Sequence, residues 1–122
     1  MKGKLFLFQW DGVSARQRVK ELRAAGWEVT VESEDGARGG NKVKANPPDV
    51  VVMDLARRPS HSRETAEGLR WLKATRHIPI VFVDGAEEAL AKTKAKVPDA
   101  IYTISAELQR VLETFANSDG DG

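Results

Sequence analysis

The chain has 122 residues, 41% of them hydrophobic, enough to bury one core and too few for two domains. Its 19 Lys and Arg against 18 Asp and Glu leave a formal charge of +1, too small to draw in nucleic acid or an anionic membrane through net charge. Cysteine is absent, which excludes disulfides and thiolate chemistry and suits a reducing compartment.

Near the start, the apolar run Leu5 to Phe8 is too short for a membrane span, and no small-residue cleavage site follows it. The expected location is therefore the cytoplasm. The same run, ending in Gln9, Trp10, Asp11 and Gly12, predicts a buried first strand followed by a polar turn. Val13 to Ala25 carries Ala15, Val19 and Leu22 at helical spacing, with Gly26 placed to stop the helix. Glu28 to Glu32 alternates as a half-buried or edge strand does. The stretch Ser33 to Asn46, with Gly36, Gly39, Gly40 and Asn41, predicts a second helix that is short, weak or distorted. Its glycines match neither a phosphate-binding P-loop nor a dinucleotide fingerprint.

Pro47 and Pro48 break the chain before Val50 to Met53, a β-branched run expected to be a central strand that delivers Asp54. A polar loop is expected over Arg57 to Ser62, then a helix burying Ala66, Leu69 and Leu72. Ile80 to Val83 predicts the fourth strand, ending at Asp84 and Gly85. Glu87 to Lys96 predicts a helix with Ala86, Ala89, Leu90 and Thr93 on one side. Ala100 to Ile104 predicts a fifth strand. Leu108, Val111, Leu112 and Phe115 form the stripe of a last helix, and residues 116–122 a flexible polar tail behind a domain of residues 1–115. Apart from the second, the helices are expected to be of ordinary length.

Strand and helix alternating along the whole chain predict an α/β domain with a parallel sheet covered on both faces, its ligand crevice at the C-terminal ends of the strands. Asp11, Asp54 and Asp84 all fall at those ends. Each has a simpler role to weigh against chemistry: Asp11 and Asp84 as caps of the helices that follow, Asp54 as a hydrogen-bond acceptor for its own loop.

From Lys4 to Phe115 the order and spacing resemble the receiver domain of bacterial two-component response regulators, most specifically in PPDVVVMDL at Pro47 to Leu55. The resemblance implies a three-layer, flavodoxin-like fold with strand order 2-1-3-4-5, and it makes Asp54 the candidate phosphoacceptor. The family's acidic pair after the first strand falls on Gln9 and Trp10, with Asp11 beside it. Its Ser or Thr after the fourth strand falls on Asp84, and its Lys after the fifth on Thr103. Without that Lys and with a carboxylate in the hydroxyl's place, a phosphoryl group loses the charges that stabilise it.

The expectation is therefore a noncatalytic signalling or protein-interaction module without efficient aspartyl phosphorylation. A second reading is a Mg²⁺-dependent phosphoacceptor, with Gln9, Asp11, Asp54 and Asp84 offering oxygens to the ion if Asp11 points inward. A third is a structural scaffold. No other cofactor is expected, nor direct nucleic-acid or membrane binding. A protein partner or a second copy is expected. The resemblance favours the face of the fourth helix, fifth strand and fifth helix, where Lys92, Lys94, Lys96 and Tyr102 lie. The competing surface runs from Arg57 to Arg76, with Arg57, Arg58, His61, Arg63, Arg70 and Trp71.

Overall fold

A computed structural model describes residues 1–117. Five strands alternate with five helices: β1 Gly3–Phe8, α1 Gly12–Ala24, β2 Trp27–Glu32, α2 Gly36–Ala45, β3 Val50–Asp54, α3 Pro59–Trp71, β4 Ile80–Val83, α4 Glu87–Lys96, β5 Ile101–Thr103 and α5 Leu108–Leu112. All strand pairs are parallel and the sheet order is 2-1-3-4-5, as expected.

Side-chain alternation in β1 and β3 divides the core into two layers. Phe6, Phe8, Val51 and Met53 pack with Val43 of α2, Ala66 and Leu69 of α3, and Leu90 of α4. Leu5, Leu7, Val50 and Val52 face Val19 and Leu22 of α1 and Leu108 and Leu112 of α5. The predicted stripe of the first helix, Ala15, Val19 and Leu22, is the set that α1 buries. Gly26, just past that helix, has φ +106°, which explains a glycine there.

Four expectations need correction. Helix α2 is not short or distorted, because it matches α4 in length and Asp35 caps it by accepting from the Arg38 amide. Its glycines let it approach its neighbours: a Cβ at Gly39 would collide with the Phe8 ring of β1, and one at Gly36 with the Thr65 hydroxyl of α3. The segment from Arg57 to Ser62 is not all loop. Arg58 adopts left-handed φ 48°, Pro59 starts α3 with a favourable φ, and Ser60 to Ser62 complete its first turn.

Leu72 is not on the buried stripe; the helix has ended there and the side chain is 42% exposed. Finally, α5 is shorter than ordinary, because its stripe spreads over an α-helical turn flanked by 3₁₀ turns at Ser105–Glu107 and Glu113–Phe115. The expected tail falls mostly on residues outside those described, though the Asn117 amide still donates to the Lys2 carbonyl at 2.7 Å.

Candidate functional site

Phe8 pairs with Met53 and Val83 with both Asp54 and Thr103, so the sheet register sets Gln9, Asp54, Asp84 and Thr103 along one crest at the strands' C-terminal ends. Asp54 is only 1% exposed although it carries a carboxyl group. Its Oδ1 accepts from the Ala56 amide at 3.0 Å and its Oδ2 from the Arg57 amide at 3.3 Å. Burial raises its pKa above the ordinary value, against the opposing pull of those two amides and of the Arg18 and Arg57 guanidinium groups. The simpler reading of Asp54 as an acceptor for its own loop describes these bonds.

Gln9 continues the alternation of Leu5 and Leu7 and is buried; its Nε2 donates to Ser14 Oγ at 2.9 Å. Trp10 turns the other way, into the layer holding Phe6 and Phe8. Its ring meets His61 edge-on at 4.2 Å, and its Nε1 donates to Ser62 Oγ at 2.7 Å. Ser62 is fully buried, and its hydroxyl passes the connection on to the Asp54 carbonyl at 2.6 Å. The indole thus braces the start of α3 against the end of β3.

Asp11 is the cap that its simpler reading predicts, accepting from the Ser14 amide at 2.9 Å. That bond lowers its pKa. Asp84 is not a cap. Ala86 holds the cap position of α4 without a side-chain bond, while Asp84, at φ 63°, reaches across to Ser105, accepting from its amide at 2.8 Å and its hydroxyl at 2.6 Å. The Thr103 carbonyl receives the Asp84 amide at 2.9 Å.

Arg18 is the residue that the sequence reading missed. From α1 its Nη2 donates to Ser105 Oγ at 3.1 Å and stands 3.8 Å from Asp84 Oδ2, with the side chain only 16% exposed. Its charge also favours ionised Asp54. The one available signal was its position three residues after Ala15 and four before Leu22, at the edge of the apolar stripe. A guanidinium from α1 thus brings positive charge to the crest, where Thr103 offers none.

Mg²⁺ takes oxygens at octahedral geometry, one or two from carboxylates and the rest from water, and two of the three candidate carboxylates here are drawn to other partners. Asp11 and Asp84 are each committed to a different backbone turn, Trp10 offers no oxygen, and among the described residues no group of three or more His, Cys, Asp or Glu converges on a metal position.

The expected interaction surfaces fare differently. Arg70 is committed to the fold: it pairs with Asp99 at 2.8 Å and donates to the Ile78 carbonyl at 2.7 Å. Arg63 reaches Thr93 Oγ1 at 3.4 Å. Trp71 stands 86% exposed, while Arg57 and Arg58 are exposed beside the crest. On the other face, Tyr102 stacks on Phe82 at 5.1 Å and donates to the Val97 carbonyl, with Lys94 over its ring. Lys92 pairs with Glu88, and Lys96 is exposed.

Among the described residues no helix is long and apolar enough to cross a membrane. The fold is that of response-regulator receiver domains. A putative response regulator from Chloroflexus aurantiacus superposes with a TM-score of 0.77 at 19% identity, covering 94% of this chain and 98% of its own. The receiver domain of a sensor histidine kinase from Pseudomonas aeruginosa, which has a magnesium ion coordinated in its active site cleft, gives 0.72 at 19% identity over 94% and 98%. The N-terminal domain of a response regulator receiver protein from Methanoculleus marisnigri gives 0.68 at 19% over 93% and 96%. No family model and no curated protein matches the sequence.

Proposed function

We propose that this chain is a noncatalytic, receiver-like signalling module that works through protein contacts, without efficient phosphorylation of Asp54. The observation that carries this reading is Asp54 itself. Its carboxylate is buried, both oxygens are held by the amides of its own loop, and burial favours its protonated, non-nucleophilic form. The surroundings support the same reading. A phosphoryl group arriving at Asp54 would need cations and donors free to receive it, whereas Arg18 and Ser105 are already engaged with each other and with Asp84.

A partner for such a module is a protein. The exposed Arg57, Arg58 and Trp71 on one side and Lys92 and Lys96 on the other are the surfaces open to it. Incubation with acetyl phosphate and Mg²⁺, followed by intact mass measurement, tests the central claim. The expected spectrum is unmodified protein. Stoichiometric phosphorylation that disappears in Asp54→Asn would establish the phosphoacceptor reading instead.

A further inference from the structure

Away from the crest, a groove of about 510 Å³ runs between α1 and the outer edge of β2. Its floor includes Ala15, Val19 and Val31, and its wall carries Arg16, Lys20 and Arg23. No carboxylate lines it among the described residues. Glu21 lies on the opposite flank of the helix, bonded to Gln17, and Glu34 is paired with Arg38.

Strand β2 is the terminal strand of the sheet. The carbonyls of Gly26 and Glu32 both accept from the β1 side, from the amides of Lys2 and Gln9. In a parallel ladder alternate residues turn their backbone groups the same way, so Val29 and Val31 present theirs outward. The contact of Arg23 agrees with this: its Nη2 caps the Val29 carbonyl at 3.0 Å. That guanidinium protects the lower part of the edge and leaves the backbone at Val31, inside the groove, open to a further strand.

We propose that this groove takes an extended acidic segment of a partner protein, added as a sixth strand beside β2. The backbone at Val31 supplies the ladder bonds, and Arg16 and Lys20 take carboxylates projecting toward α1. The spacing agrees. Residues four apart on a helix are separated by about 6 Å along the axis, and alternate side chains of an extended strand by about 6.6 Å. Acidic residues at every second position therefore meet successive cations, while the residues between them turn to the opposite face of the sheet. This surface is independent of Asp54, so the proposal stands whether or not that residue is phosphorylated.

The test uses the full chain and a fluorescent, end-capped peptide of alternating Glu and Val, with binding followed by anisotropy and by amide hydrogen exchange. The expected result is saturable binding that slows exchange of the Val31 amide and weakens by roughly tenfold in the Arg16→Glu, Lys20→Glu double variant. Both side chains are exposed, and circular dichroism verifies folding of that variant. A peptide N-methylated at alternate residues should lose binding, because it keeps its charge and loses its ladder donors.

Three results would overturn the proposal. One is no saturation at about 1 mM peptide. Another is equal affinity for the N-methylated peptide or for a heparin fragment, which would show a general polyanion surface. The third is a dimer that already protects the Val31 amide without peptide, which would give the edge to a second copy of the chain.

Discussion

Trp10 Nε1 donates to Ser62 Oγ at 2.7 Å, and the two residues tie the exit of β1 to the first turn of α3 inside the protein. The same hydroxyl donates to the Asp54 carbonyl, so a residue at a position where the resemblance implies an acidic side chain serves as a mechanical link. Replacing Trp10 by Phe keeps much of the apolar packing and removes the donor. The expected loss is about 1 kcal/mol of stability in urea denaturation, and Trp10→Ala should cost about 3–5 kcal/mol.

Arg18 should matter to the crest in proportion to its charge. Arg18→Met preserves the aliphatic stem and deletes the bond to Ser105 and the cation facing Asp84 and Asp54. Carbon-13 NMR of the Asp54 carboxyl should show its titration moving to higher pH in that variant, because a charge favouring the ionised form is gone. An unmoved titration would mean that solvent screens the guanidinium from Asp54.

Burial raises the Asp54 pKa above its ordinary 3.8, so holding its charge opposes folding. Below the unfolded-state pKa both states are protonated and no penalty exists. The penalty grows as pH rises from there through the folded-state pKa, and it is complete above it. Asp54→Asn removes this penalty but loses one of the two amide bonds, because its Nδ2 cannot accept, so its stability relative to the natural chain should improve as pH rises through that window. That improvement should vanish in acid denaturation profiles below about pH 4.

Glu32 shows the opposite sign. Arg38 grips it with Nε on Oε1 at 2.8 Å and Nη2 on Oε2 at 2.7 Å, while the amides of Glu34 and Asp35 donate to Oε2. These partners, Arg38 first, pull its pKa from 4.5 down to about 2 despite burial. Its stabilisation is present in full above 4.5 and is lost as pH falls toward 2. Glu32→Gln should destabilise the neutral protein by roughly 1–3 kcal/mol, and the difference from the natural chain should shrink across that window.

Neighbouring glycines in α2 should respond in opposite directions. Gly39→Ala drives a methyl group into the Phe8 ring and should cost about 1–3 kcal/mol. Gly40→Ala meets nothing within 4 Å and should gain about 0.5–1 kcal/mol from helix propensity. Thermal melts of the two variants check both signs.

The sequence alone determined the strands, the helices and their parallel pairing, because those signals are local, while the strand order rested on the resemblance to receiver domains. The run Val50 to Met53 is buried on both sides and must be a strand, Ala15, Val19 and Leu22 repeat at helical spacing, and the alternation of such segments imposes parallel crossovers. It also marked Asp54, since a carboxyl directly behind a buried strand stands out against its neighbours. Tertiary structure decided what depends on distant contacts. The glycines of α2 read as helix breakers until Phe8 and Thr65 are placed against them. Arg18 and Ser105 lie 87 residues apart and meet only when α1 and the end of β5 share one crest. Asp84 likewise looked like a cap of α4 until its left-handed backbone turned the carboxylate to Ser105. Hydrogen bonds and charge pairs of this kind depend on positions in space, which local periodicity does not encode.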